Sequence, residues 1–174
     1  VTSIPANVVD WILVELRSST DASSVRVRRA ALIKSDGSIV ELNGTGLVNL
    51  PGITPGNYYL VIKHRNHLSV MSSSVLALNA SSRLYDFTTS QTSAYGTNAM
   101  KNLGNGKYGM WAGDASGDGT IKSTDLNEYW IRENSTTYDY IMKPADFNLD
   151  GNINATDLNL FWLLNNGIST KVSN

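Results

Sequence analysis

The sequence predicts a mainly β chain with a small α module, an antiparallel β-sandwich followed by a duplicated loop–helix module. Three observations predict it. Residues 8 to about 90 set short β-branched runs between clusters of turn residues, the pattern of an all-β sandwich. The next two dozen residues are rich in Gly, Asn and Ser yet keep large apolar side chains. From residue 114 the chain repeats itself after 32 residues, which marks an internal duplication.

In chain order, Val8 to Leu16 is an apolar run and the first expected strand. Val25 to Ile33 follows a Ser/Thr/Asp loop, and Ser35-Asp36-Gly37-Ser38 turns the chain into Ile39 to Leu42, a hairpin. In LVNLPGITPGNYYLVIKH, residues 47–64, the Pro and Gly residues separate a strand at Leu47 to Leu50 from another at Tyr58 to His64. Further strands are expected at Ser74 to Leu78 and Arg83 to Thr88. These segments define a sandwich over residues 1–88. Residues 89–112 hold Tyr95, Met100, Leu103, Tyr108, Met110 and Trp111, more apolar bulk than a free linker uses, so they are read as an ordered connector. The loop–helix module takes 113–174.

The chain has 41% hydrophobic residues, a net charge of −1 and no cysteine. Disulfides and thiolate metal sites are thereby excluded, and no apolar run is long enough for a membrane-spanning helix. The chain opens at Val1 with neither Met nor a leader pattern, so a secretion signal is expected to have been removed or left out. Charge is unevenly placed. Residues 1–113 carry ten Lys/Arg against six Asp/Glu, whereas residues 114–174 carry four against nine. Six of those nine acids fall within two short loops, where they repel one another unless a cation intervenes. Nucleic acid is not an expected partner, because Arg26, Arg28 and Arg29 lie in a strand pattern without interleaved aromatics and read as a solvated face.

The repeat sets DASGDGTIKSTDLNEYWIREN against DFNLDGNINATDLNLFWLLNN, with 10 of 21 positions identical. Each copy opens with a 12-residue loop of the EF-hand type, whose oxygen-bearing residues at alternate positions suit a hard cation with six to eight oxygen ligands. In the second loop Asp146, Asn148 and Asp150 offer side-chain oxygens and Gly151 permits the turn. Asn152 offers its carbonyl, Asn154 a side chain or water, and Asp157 a carboxylate. In the first loop the corresponding residues are Asp114, Ser116, Asp118, Gly119, Thr120, Lys122 and Asp125. Lys122 has no side-chain oxygen, so a water is expected there and the first site is expected to bind less tightly. Two Ca²⁺ ions follow, with Mg²⁺ disfavoured by its smaller octahedron. After the loops, Leu126, Tyr129 and Trp130 make one apolar helix face, and Leu158, Phe161 and Trp162 the equivalent one. Leu160, Leu163 and Leu164 are additional apolar positions that require cover of their own.

The two-copy loop–helix plan, with Asp at position 12 and the string GDGTIKSTDL, resembles the dockerin family over residues 113–167. That resemblance implies a small two-calcium fold that binds cohesin modules outside the cell. Its recognition positions fall on Ser123 and Thr124 and on Ala155 and Thr156. The chain departs from the family where Lys/Arg are frequent, carrying Ile131-Arg132 and Leu163-Leu164 instead. The string LPGITPGNYYLVI resembles a strand pair of Cna-B-like and transthyretin-like sandwiches. VDWILVELR, KHRNHLSVMS and YGMWAGDASGDG together resemble C-terminal modules of large secreted Bacteroidota-type surface proteins, which implies secretion and non-enzymatic architecture.

No nucleophile elbow or other catalytic motif is present, and the expectation is a non-catalytic protein. His64 and His67 are read as turn-stabilising. Trp11, Tyr58, Tyr59 and Trp111 are weighed as a glycan platform, and Trp11 and the two tyrosines, which lie within strand patterns, are read as core residues. The expected function is extracellular protein–protein assembly at the cell surface, through self-association of a structural building block using Val1 to Asn7 or the last helix. The alternatives are anchoring to a cohesin-like receptor and glycan binding.

Overall fold

The computed structural model describes residues 4–79, 82, 84–134 and 143–173. Val1 to Ser3 of the expected contact segment and Arg83 of an expected strand lie outside them. The fold is mainly β and antiparallel, with a small helical module at the duplicated loops. Two compact units divide the chain: Val1–Lys63, Val70–Gly109 and Lys171–Ser173 form the first, and His64–Ser69 with Met110–Thr170 the second.

In the first unit β1 (Val8–Arg17), β2 (Val25–Lys34), β3 (Ile39–Val40), β4 (Gly56–Lys63), β5 (Val70–Met71) and β6 (Leu76–Leu78) make one sheet, in the order β3-β2-β1-β4-β5. β6 pairs with the beginning of β4, Gly56 opposite Leu78, while β5 pairs with its end, Val61 opposite Met71. The pairing sums shift by two residues between them, so β5 and β6 act as one edge strand interrupted by a bulge. Ser72 bridges the interruption. Its N–H donates to the Leu60 carbonyl at 2.8 Å, and its Oγ accepts from the Leu60 N–H at 3.1 Å. A separate hairpin, β7 (Lys101–Gly104) and β8 (Lys107–Gly109), forms within the expected connector.

β1 is the central strand, and its second half, from Val14 to Arg17, is buried on both faces. Ile12, Val14 and Leu16 supply one face. The other carries Glu15 and Arg17, 1% and 0% exposed, two residues apart and therefore on the same side of the pleat. Glu15 accepts from Arg17 Nη2 at 2.8 Å and from Arg28 Nε at 2.8 Å, with Lys63 Nζ 3.7 Å away. Arg17 Nη1 also donates to the Ser173 carbonyl at 3.0 Å. Burial alone would raise the Glu15 pKa. The bonds from Arg28 and Arg17 and the charge of Lys63 outweigh it and hold the carboxyl below its ordinary value. Arg28, read from sequence as a solvated strand residue, is exposed and at the same time one of three cations that neutralise a buried acid.

The strand expected at Leu47 to Leu50 is absent, and Leu47 is exposed. The described residues of 83–88 form no strand either; Asp86 there makes a side-chain turn, accepting from the Thr88 N–H at 2.7 Å. Both segments carry apolar residues but lie beside Pro, Gly or Asp, which favour turns over a ladder.

Candidate metal-binding loops

The second unit is built around the repeat. Each loop leads into a helix with a π-helical stretch, Asp125–Trp130 continuing as Ile131–Glu133 and Asp157–Trp162 continuing as Leu163–Asn165. One core serves both copies: Ile121, Ile153, Phe147, Ala115, Ala145 and Trp162 are buried together, with Leu126, Tyr129, Trp130, Leu158 and Phe161 at its margin. The apolar faces expected for the two helices are therefore the ones that pack.

The loops share a hydrogen-bond pattern position by position. The glycine N–H donates to the first carboxylate, Gly119 to Asp114 Oδ2 at 3.0 Å and Gly151 to Asp146 Oδ2 at 3.1 Å. The following N–H donates to the second acid, Thr120 to Asp118 Oδ1 at 3.0 Å and Asn152 to Asp150 Oδ1 at 2.8 Å. Each last carboxylate closes its loop. Asp125 accepts from the Ser116 and Lys122 N–H groups, both at 2.8 Å; Asp157 accepts from Asn148 at 3.2 Å, Asn154 at 2.9 Å and Phe147 at 2.8 Å. Gly119 and Gly151 turn at φ 87° and 85°, where a Cβ is disfavoured.

The copies also lock each other. Trp130 Nε1 of the first helix donates to the Asn154 carbonyl of the second loop at 3.1 Å, and Trp162 Nε1 of the second helix donates to the Lys122 carbonyl of the first loop at 3.2 Å. These are equivalent residues and equivalent acceptors. The apolar loop residue Ile121 does not pair its backbone with Ile153. Its N–H donates to the Ile168 carbonyl at 2.9 Å and its carbonyl accepts from Gly167 at 2.8 Å, while Thr120 bridges to Ser169.

Electrostatically the loops are under tension. Asp125 and Asp157 are fully buried, and Asp114 and Asp146 nearly so. Burial pushes the pKa of Asp114, Asp146 and Asp157 up, the loop N–H groups oppose that, and a neighbouring acid adds repulsion in each case. Asp118 differs: Lys122 Nζ lies 2.6 Å from its Oδ2 and lowers its pKa. In the second loop the equivalent oxygen, Asp150 Oδ2, accepts from Asn148 Nδ2 at 2.8 Å. Among the described residues no group of three or more His, Cys, Asp or Glu converges as a metal cluster. The donor chemistry nevertheless suits a hard cation, since paired buried carboxylates are joined by Ser, Thr and Asn oxygens with no nitrogen or sulfur ligand.

Two features lie beyond what the sequence reading placed. The segment His64–Ser69 belongs to this unit, and its Asn66 is fully buried at the start of both loops. Its Nδ2 donates to the Pro144 carbonyl at 2.8 Å and the Asp146 carbonyl at 2.7 Å. His64 and His67 meet edge to face with centroids 4.5 Å apart, and His67 Nδ1 lies 2.8 Å from Asn66 Oδ1. The sequence signal was only the Asn inside KHRNH. The additional apolar positions expected to require cover do stand exposed: Leu160 and Leu163 are each 57% exposed and Leu164 66%, and Ile131 on the other helix is 57% exposed as well. The cover these positions need is not supplied within the described residues.

The aromatics weighed as a glycan platform divide between the units. Tyr59 packs on the core of the first unit, Tyr58 donates its hydroxyl to the Thr54 carbonyl, and Trp111 packs on the core of the second. Trp11 is partly exposed. No helix among the described residues is long and apolar enough to cross a membrane.

No protein-family model matches the chain, and no curated protein does. Solved structures do. One is a chain of a type II cohesin–X-dockerin complex from Acetivibrio cellulolyticus carrying an N-terminal interface mutation, 19% identical, with a TM-score of 0.51 over 91% of this chain and 82% of that one. The C-terminal interface mutant of the same complex gives 0.50 at the same identity and coverage. The similarity is one of fold, and it extends through both units rather than stopping at one.

Proposed function

We propose that this chain is a non-catalytic, extracellular assembly module whose duplicated loops each hold one Ca²⁺, and that it docks through the exposed apolar row of its loop-borne helices onto a cohesin-like β-sheet receptor. The observation that carries the reading is Leu160, Leu163 and Leu164 standing exposed beside a well-filled core. Three leucines on one short helix, with Ile131 at the equivalent place of the other, are more apolar surface than a solvated helix retains. That the solved neighbours come from cohesin–dockerin complexes supports a protein partner of the same kind.

In each loop Asp114, Ser116, Asp118, Thr120 and Asp125, or Asp146, Asn148, Asp150, Asn152, Asn154 and Asp157, would hold the ion, with Lys122 turned to Asp118 instead of acting as a ligand. The ion would supply the positive charge that the buried carboxylates lack. Its task is structural: the loops fix the helices, and the helices present the leucines. Calcium in the millimolar range outside cells agrees with a secreted setting.

The test is sedimentation and calorimetric titration in CaCl₂ against a type II cohesin module, using the whole chain and a Leu163→Asp, Leu164→Asp variant. One-to-one binding that the variant loses by a hundredfold or more, about 2.7 kcal/mol, supports the reading. Concentration-dependent self-association without cohesin binding, abolished by the same substitutions, would move the function to a self-assembling building block. A monomer that binds nothing would remove the docking claim.

A further inference from the structure

We propose that Asn66 couples the two ion loops, so that filling one raises the affinity of the other; this rests on the calcium reading above. Asn66 touches the first residue of both loops through different atoms. Its backbone carbonyl accepts from the Gly113 N–H at 3.0 Å and the Asp114 N–H at 3.1 Å, where the first loop begins. Its side-chain Nδ2 donates to the Pro144 and Asp146 carbonyls, where the second loop begins. The amide orientation is fixed by two carbonyls on Nδ2 and by His67 Nδ1 on Oδ1, which makes His67 the donor there.

Asp114 and Asp146 are the residues whose carboxylates receive the loop-glycine N–H groups, so a shift of either backbone moves a ligand oxygen directly. Asn66 is fully buried, with every polar atom engaged, and it cannot follow one loop without displacing the other. Arg65 reinforces the link on one side, donating from Nη1 to the Lys143 carbonyl with Nη2 4.0 Å from Asp146 Oδ2. Ordering one loop therefore pre-orders the segment that holds the other, which is positive coupling without contact between the ions. Asn66 is a positioning residue and not a ligand.

The experiment is calorimetric Ca²⁺ titration of the full chain in four forms: wild type, Asn66→Ala, Asp150→Ala and the double variant, with Asn66→Asp as the isosteric exchange of donor for acceptor. Emptying the second loop by Asp150→Ala is expected to weaken the first loop by a factor in the usual range of site–site coupling, roughly 5–150-fold. In the Asn66→Ala background the same change is expected to leave the first loop within about twofold, which is no measurable coupling on that scale. Equal weakening in both backgrounds overturns the proposal while leaving calcium binding intact. Failure of the wild type to take up Ca²⁺ overturns the calcium reading itself.

If the Asn66 variants do not fold, hydrogen exchange in Asp118→Ala, with Asn66 intact, decides. Ca²⁺ bound at the second loop should increase protection of the Gly113 and Asp114 N–H groups. Unchanged protection there overturns the coupling.

Discussion

Replacing Asp157 by Asn separates the loop's own stability from the ion it is proposed to hold. The carboxylate is fully buried and receives three backbone N–H groups. An amide can keep its oxygen toward Phe147 and Asn148 while its NH₂ faces the Asn154 N–H, so one charge-assisted bond is lost, about 1.5–3 kcal/mol. Against that stands the relief of an acid whose pKa burial has already raised. In EDTA the two effects oppose each other, and the variant is expected within about 1 kcal/mol of wild type. In Ca²⁺ at a hundredfold excess over Kd each ion adds about 2.7 kcal/mol, and the variant forfeits one such contribution. For a unit of this size that is roughly 10–20 °C in melting temperature.

The assay is thermal unfolding followed by tryptophan fluorescence, in EDTA and across a CaCl₂ series, with Asp125→Asn as the matched change in the first loop. A wild-type melting curve indifferent to Ca²⁺ would refute the ion reading. A variant that retained the whole Ca²⁺ shift would refute the role given to Asp157.

Three other outcomes are expected. Glu15→Gln leaves the buried Arg17 without its counter-charge and should cost about 3–5 kcal/mol in the first unit, read by urea unfolding; a change under about 1 kcal/mol would mean the charge cluster contributes little. Stability of the two units should respond to acid with opposite signs when Ca²⁺ is absent. The Glu15 pKa is lowered by folding, so its contribution is present above the unfolded value near 4.5 and is lost as pH falls through the folded one. Those of Asp114, Asp146 and Asp157 are raised, so their penalty at neutral pH is relieved as pH falls through the folded values toward the unfolded 3.8. Unit-resolved hydrogen exchange between pH 7 and 4 in EDTA checks both, and parallel slopes would contradict the assignment. Ile153→Ala removes a fully buried side chain and should cost about 2–5 kcal/mol, confined to the second unit; equal loss in both units would show that they unfold together.

What the sequence could and could not show follows from the range of the interactions. The repeat was legible because each loop's bonds run within 12 residues, so residue type and spacing are enough to place Asp114, Gly119 and Asp125 and their counterparts. Strands β1, β2 and β4 were legible because each is long and continuous. The edge was not. β5 and β6 are two and three residues long and exist only because β4 offers them a ladder, and Leu47 to Leu50 has strand composition but no neighbour to pair with. Asn66 was beyond reach, since its partners lie 78 and 80 positions away and one asparagine between two histidines has no periodicity to betray it. The ion pair that the exposed Arg28 makes was out of reach for a related reason: its partner Glu15 comes opposite only through the strand register.

The exchange of indole N–H groups between the repeats has an optical consequence. Trp130 sits on the first helix but its ring nitrogen is tied to the second loop, and Trp162 sits on the second helix but is tied to the first. Each fluorophore is thus a reporter of the opposite half of the duplication. Emission from a protein retaining only Trp130 would follow events at the Asp146–Asp157 loop, and emission from one retaining only Trp162 those at Asp114–Asp125. The same crossing makes each half a poor stand-alone fragment, because cutting the chain between them strands one donor and one carbonyl on either side.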